Sequence, residues 1–208
     1  MKVLLINGSP HEKGCVYTDL MIIAAQLEKQ GLEWELFHIG TGPVRGCTAC
    51  RRCRQEGKCV YDDDPCNTLV EKIRAADGVI VGSPVFYSGP NGALCALLDR
   101  AFQVDQSKGT FAHKPAAAIV NCRRGGASAA FDRLNRYFTM NRMHLVTSQY
   151  WNITHGMNPD QLMEDEEGLQ IMRTLGDDMA WVLKSLEKAS LPKPAREPLI
   201  QTNFVRLK

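Results

Sequence analysis

The chain has 208 residues, 44% of them hydrophobic, and a formal net charge of +2. That length favours one domain with a full core, and the apolar fraction excludes a disordered chain. Scattered Lys and Arg in near balance with acids exclude a dedicated nucleic-acid or membrane surface.

Taken in order, Val3–Ile6 reads as a buried strand too short for a signal peptide. Tyr17–Gln30 reads as a helix with Leu20, Ile23, Ala24 and Leu27 on one face, closed by Gly31. Trp34–Ile39 is a second strand. Four cysteines follow in one short loop, Cys47, Cys50, Cys53 and Cys59, a C-x2-C-x2-C-x5-C run. Asp62, Asp63 and Asp64 read as a solvated turn, and Pro65 opens a helix through about Ala75. Gly78–Gly82 is an apolar strand suited to the middle of a parallel sheet, Gly92–Val104 a helix, Pro115–Val120 a strand, and Ala127–Asn141 a helix. His144–Tyr150 is a fifth strand and Glu166–Lys188 a long last helix.

This alternation predicts an α/β three-layer sandwich. The expected form is flavodoxin-like, a five-stranded parallel sheet of order 2-1-3-4-5 with helices on both faces. The domain is expected over residues 1–190, with 191–208 an extended tail. The apolar end of that tail, Phe204–Leu207, either docks on the body or a neighbour or frays. No apolar stretch approaches a membrane span. A cytoplasmic protein is expected, its eight cysteines reduced thiols or ligands rather than disulfides.

Ligands in such a sheet bind beyond the carboxyl ends of the strands, and three loops there are informative. In the first, Asn7–Thr18, free N–H groups at a helix start attract a phosphate, and Ser9, Tyr17 and Thr18 add hydroxyls. Micromolar to nanomolar binding needs about 8–12 kcal/mol. A few hydrogen bonds to a charged group, at about 1.5–3 kcal/mol each, supply much of it. The loop is neither G-x-G-x-x-G nor Walker-like, so a mononucleotide such as FMN suits it better than a dinucleotide or ATP. An ordinary polar turn capping a helix is the alternative.

The second loop, Ser83–Gly92, offers Pro84, Val85, Phe86, Tyr87, Ser88 and Gly89 as a wall and edge for a flat heteroaromatic ring. Phe86 and Tyr87 as plain core and rim residues are the alternative. The third loop offers Asn121, Arg123, Arg124, Gly125 and Gly126, with positive charge for the pyrimidine end of a flavin. A solvated basic turn is the alternative.

The cysteine run suits a [4Fe–4S] cluster better than zinc, which favours two ligand pairs set farther apart. A redox disulfide or simply reactive cysteines among Arg45, Arg51, Arg52 and Arg54 remain open. Cys95 reads as core filling. His38 and His144 receive no role. Trp151 and His155 line either the flavin's substrate side or a subunit contact. No nucleophile elbow is present, so hydrolysis is not expected.

Gly8-Ser9-Pro10, the cysteine run with Asp62-Asp63-Asp64, Ala75-Ala76-Asp77-Gly78, Ser83-Pro84-Val85 and Leu98-Asp99-Arg100 together resemble the NADPH-dependent FMN reductase group. Within it, the iron–sulfur flavoprotein branch is most similar. The resemblance runs from Lys2 to about Lys188. It implies non-covalent FMN, oxidation of NAD(P)H, and a homodimer or homotetramer that closes the flavin site. Electrons would pass to a small acceptor such as a quinone or a free flavin. It also implies a phosphate turn over Ser9–Thr18, flavin-edge loops over Pro84–Gly89 and Asn121–Gly126, and [4Fe–4S] ligands at the four cysteines. The chain departs from the group at His11, where a basic residue is usual, and at Cys15-Val16 in place of an Asn-Thr pair. Backbone groups, Ser9 and Thr18 then do more. An electron carrier using FMN and a cluster with a redox-protein partner, and a non-catalytic FMN module, are the other readings.

Overall fold

The structure is a computed structural model that describes residues 1–198 and 200. In chain order the elements are β1 (Lys2–Asn7), α1 (Cys15–Lys29), β2 (Glu33–His38), α2 (Cys53–Glu56), α3 (Cys66–Ala75), β3 (Gly78–Phe86) and β4 (Gly89–Pro90). They continue with α4 (Gly92–Asp105), β5 (Pro115–Cys122), α5 (Ala127–Met140), β6 (His144–Leu145), β7 (Ile153–His155), α6 (Pro159–Leu162) and α7 (Glu166–Ala189).

Strand periodicity sorts the core into two layers. Leu4, Ile6, Val79, Val81, Ala116, Ala118 and Val120 face α3, α4 and α5. Val3, Leu5, Ile80, Ala117 and Ile119 face α1 and α7. The sheet runs β2-β1-β3-β5-β6, parallel along this path. With β5 and β6 in fourth and fifth place, that is the expected order 2-1-3-4-5, and the fold is flavodoxin-like.

Two details differ from the sequence reading. The third strand continues past Gly82 to Phe86 and folds back as an antiparallel hairpin with β4. The fifth strand is split: β6 and β7 both pair with β5, at its two ends. Between them the Asn152 side chain donates Nδ2–H to the Ala118 carbonyl (3.1 Å) in place of a ladder bond.

Helix α7 closes at Ala189. Residues 191–198 carry no helix or strand, and Arg196 Nη1 donates to the Gln106 carbonyl at 3.0 Å. The Phe204–Leu207 segment lies outside the described residues. Among those residues, no helix is long and apolar enough to cross a membrane.

Candidate functional site

The carboxyl ends of β1, β3 and β5 open on a cleft of about 730 Å³, lined by Ser9–Val16, Pro84–Phe86, Asn121–Arg123 and Gly156–Pro159. Its floor is the turn leaving β1. Buried Asn7 shapes that turn: its Oδ1 accepts from Ser9 N–H (3.0 Å) and its Nδ2 donates to the Glu12 carbonyl (3.1 Å). Ser9 Oγ accepts from His11 N–H (3.0 Å), and His38 Nε2 donates to the Ser9 carbonyl at 2.8 Å. Gly8 lies so close to β3 that a Cβ there would sit 2.6 Å from the Gly82 carbonyl oxygen. Helix α1 then starts on Gly14, with no capping side chain and no acid in its first turn. Its first N–H groups and positive dipole end face the cleft without competition, a cradle for an anionic group.

One wall is the β3–β4 hairpin. Its apex residues Tyr87 and Ser88 have φ of 51° and 61°, as a two-residue type I′ turn demands. The hairpin seats on the third loop. Gly126, at φ 87°, precedes α5, and a Cβ on it would lie 2.8 Å from Ser88 Cα. At the base, Ser83 Oγ accepts from Asn91 N–H (2.9 Å), and Asn91 Oδ1 caps α4 by accepting from Leu94 N–H (3.1 Å).

Of the expected residues, Ser9, His11, Pro84, Val85, Phe86, Asn121 and Arg123 line this cleft. Tyr17 and Thr18 stand on the first turn of α1 outside the lining, and the Thr18 hydroxyl donates to the Gly14 carbonyl (3.3 Å). Tyr87 projects fully exposed from the hairpin apex. Ser88, Gly89, Arg124, Gly125 and Gly126 are also absent from the lining. Trp151 and His155 are exposed, with His155 Nδ1 3.5 Å from Asp165.

The sequence reading placed Asn7, Cys15 and Cys122 in the ligand loops without a contact to make, and missed the His38 contact and Met157–Pro159. An Asn directly before Gly8-Ser9 was the available signal for the Asn7 contacts, since Asn side chains organise turns two residues on.

Behind the cleft, Asn121 Nδ2 donates to Thr154 Oγ1 (3.1 Å), and Thr154 donates to Asp19 Oδ2 (2.9 Å). The other Asp19 oxygen is buried with no partner among the described residues. Burial holds this carboxyl well above the usual range; the Thr154 bond opposes the shift and Asp165 adds to it. Cys15, donating to the Gly156 carbonyl at 3.7 Å, has its thiol pushed up by burial and by Asp19.

A second site lies on the cysteine loop. Cys47, Cys50, Cys53 and Cys59 line one small cavity of about 20 Å³, together with Tyr61, Arg100 and Gln103. All eight cysteines are free. Among the described residues, no three His, Cys, Asp or Glu side chains are grouped to hold a single metal ion. Cys47 and Cys50 are exposed, and Cys50 is flanked by Ala49 and Arg51 at φ 54° and 61°. Cys53 is buried on α2, its Sγ donating to the Gln103 carbonyl at 3.7 Å. Burial pushes its thiol up, and the nearby Cys50, Cys47 and Cys59 add to the shift. Asn67 Oδ1 accepts from Cys59 N–H at 2.8 Å.

Fully buried Arg100, from α4, donates Nε–H to Cys59 Sγ (3.2 Å), Nη1–H to the Arg45 carbonyl (3.2 Å) and Nη2–H to the Tyr61 carbonyl (3.0 Å). It also pairs with Asp64. Asp64 is thus not part of a solvated turn: its side chain is 2% exposed, because the arginine needs its charge there. Cys95 is half-buried rather than core.

The family described as NADPH-dependent FMN reductase matches residues 1–158. An iron–sulfur flavoprotein of Methanocaldococcus jannaschii is 31% identical over 201 residues, covering 90% of this chain and 100% of that one. An iron–sulfur flavoprotein of Methanosarcina thermophila is 32% identical over 196 residues, covering 90% and 98%. Among solved structures, a WrbA-like flavodoxin of Agrobacterium tumefaciens superposes with a TM-score of 0.61 at 16% identity, over 88% of this chain and 96% of that one. Cleft, sheet order and sequence agree: the chain belongs to the NADPH-dependent FMN reductase family and is a flavin-dependent oxidoreductase of flavodoxin-like fold.

Proposed function

We propose that the cleft binds FMN, that reduced nicotinamide is the electron donor, and that the cysteine loop carries a [4Fe–4S] cluster. A small acceptor or a redox protein takes the electrons onward. Bound FMN would supply two-electron chemistry, and a bound cluster one-electron chemistry.

One observation carries the FMN reading: the glycine-backed, uncapped start of α1 forms the floor of a cleft large enough for a mononucleotide and its ring. There the free N–H groups at the start of α1 would hold the phosphate, those of Ser9 and His11 being already given to side chains of the turn. Val85 and Phe86 would exclude water from one side of the ring. Asn121, with one Nδ2–H given to Thr154, would offer the rest of its amide to the ring edge. Arg123 supplies positive charge at the rim.

The cluster reading is favoured by the four cysteines sharing one cavity. Zinc would need every sulfur about 2.3 Å from a single point, whereas a cluster spreads its ligands over several irons. An assembly that covers the exposed Phe86, Tyr87 and Met157 around the cleft, a homodimer or homotetramer, belongs to this reading, as does a cytoplasmic location for eight free thiols.

Protein purified without oxygen is expected to be yellow-brown, to bind FMN in a calorimeter, to contain iron and sulfide, and to oxidise NADPH or NADH. Colourless protein that takes up no added FMN would refute the proposal. Flavin binding with neither iron nor nicotinamide oxidation would leave only the module reading.

A further inference from the structure

We propose that Arg100 is the positioning residue of the cysteine cradle, fixing Cys59 and both ends of the 45–64 loop to helix α4 so that two of the four sulfurs are set before a cluster arrives. The inference rests on the cluster reading above.

An arginine is almost never fully buried unless its donors are matched. The Arg100 side chain is 1% exposed, and the described residues match it at every nitrogen. Nη1 holds the Arg45 carbonyl at one end of the loop and Asp64 at the other, and Nη2 holds Tyr61. The loop is thereby closed on itself through one planar group. Nε, the remaining nitrogen, goes to the Cys59 sulfur at 3.2 Å.

Gln103, whose carbonyl meets Cys53, is three residues on and so shares the same face of α4. Cys53 and Cys59 are therefore seated on one rigid helix. Cys47 and Cys50 lie on the exposed turn with its two left-handed residues. The cradle is half fixed and half free to close.

Groups that hydrogen-bond metal ligands orient them, and their loss weakens metal retention by about 10–100-fold. Hydrogen bonds to cluster sulfurs and local charge also set cluster potentials. Arg100 supplies both, because its positive charge and its N–H point at the same sulfur.

The test uses the whole chain, reconstituted anaerobically with iron and sulfide. The variants are Arg100→Lys and the double change Arg100→Met with Asp64→Leu, which removes the pair together and strands no lone buried charge. FMN binding by calorimetry reports the fold, since the cleft shares no residue with the cradle.

In the double variant, unchanged FMN affinity is expected, with iron retention against a chelator about 10–100-fold weaker. The midpoint potential of the remaining cluster should move negative, because the N–H to the Cys59 sulfur is lost while the two opposite charges leave together. Arg100→Lys keeps the charge but not the fork, so it should restore the potential more than the retention.

Wild-type retention and potential in a double variant that binds FMN normally would overturn the role. If that variant binds no FMN, wild-type retention in Arg100→Lys overturns it instead. A wild-type protein that holds no iron or sulfide overturns the cluster reading itself, and this role falls with it.

Discussion

Asp19 is a carboxyl buried beneath the cleft with one oxygen bonded to Thr154. Its proton is held more tightly in the folded chain than in the unfolded one. The associated stability is complete below the ordinary carboxylate value, near pH 4, and falls as pH rises from there through the raised folded value. Asp19→Asn keeps an acceptor for Thr154 and removes the titration. The urea midpoint of the wild type is expected to fall with pH above about pH 4, and that of the variant to be flatter. Parallel profiles would refute the assignment. Asp165 and Cys15, the neighbours coupled to this group, remain in both proteins. None of this was legible in the sequence, where Asp19 is one polar position of an amphipathic helix. Its partner Thr154 is 135 residues away. Arg100 was opaque for the same reason: Asp64 and Cys59 reach it from 36 and 41 residues upstream. That Ser9, Phe86 and Asn121 line one cleft was readable, because strand ends and turn residues declare the open end of a parallel sheet locally.

At the scale of elements, the sequence pattern located every long helix, since each carries an apolar stripe at helical spacing. The strands were harder. Proline at position 84 signals a loop, yet β3 runs through it. Pairing with β1 ends at Gly82, and beyond that point β3 is bonded on the β5 side, so the missing N–H falls on the open side. Residues 144–150 read as one continuous strand, but β6 stops at Leu145, and beyond it the Ser148 hydroxyl shares its proton between Asn152 Oδ1 (2.7 Å) and the Tyr150 carbonyl (2.8 Å). Local side-chain bonds of this kind compete with the ladder. The hairpin depends on its seat. Gly126→Ala adds a methyl 2.8 Å from Ser88 Cα at a φ of 87°, a strain of about 1–3 kcal/mol. The hairpin is expected to lift from α5, with lower thermal stability and weaker FMN binding by calorimetry. Unchanged FMN affinity would show that the seat does not shape the cleft.

For the whole molecule, folding and cofactor binding are linked. If FMN binds only the folded chain, a concentration near 100 times Kd adds about 2.7 kcal/mol. For a domain of this size that is a rise in Tm of roughly 5–10 °C. A thermal scan against FMN concentration measures it, and a Tm independent of FMN would contradict the cleft assignment. The outer borders of the sheet have a separate effect. On one side β2 carries Glu33 and Glu35, the latter tied by Lys2 and Lys72. On the other, the broken β6 and β7 expose only two short runs. Charged or interrupted margins resist edge-to-edge recruitment of foreign chains. The protein is therefore protected against fibrillar growth along its hydrogen-bonding direction, which leaves the loops around the cleft mouth for the assembly proposed above.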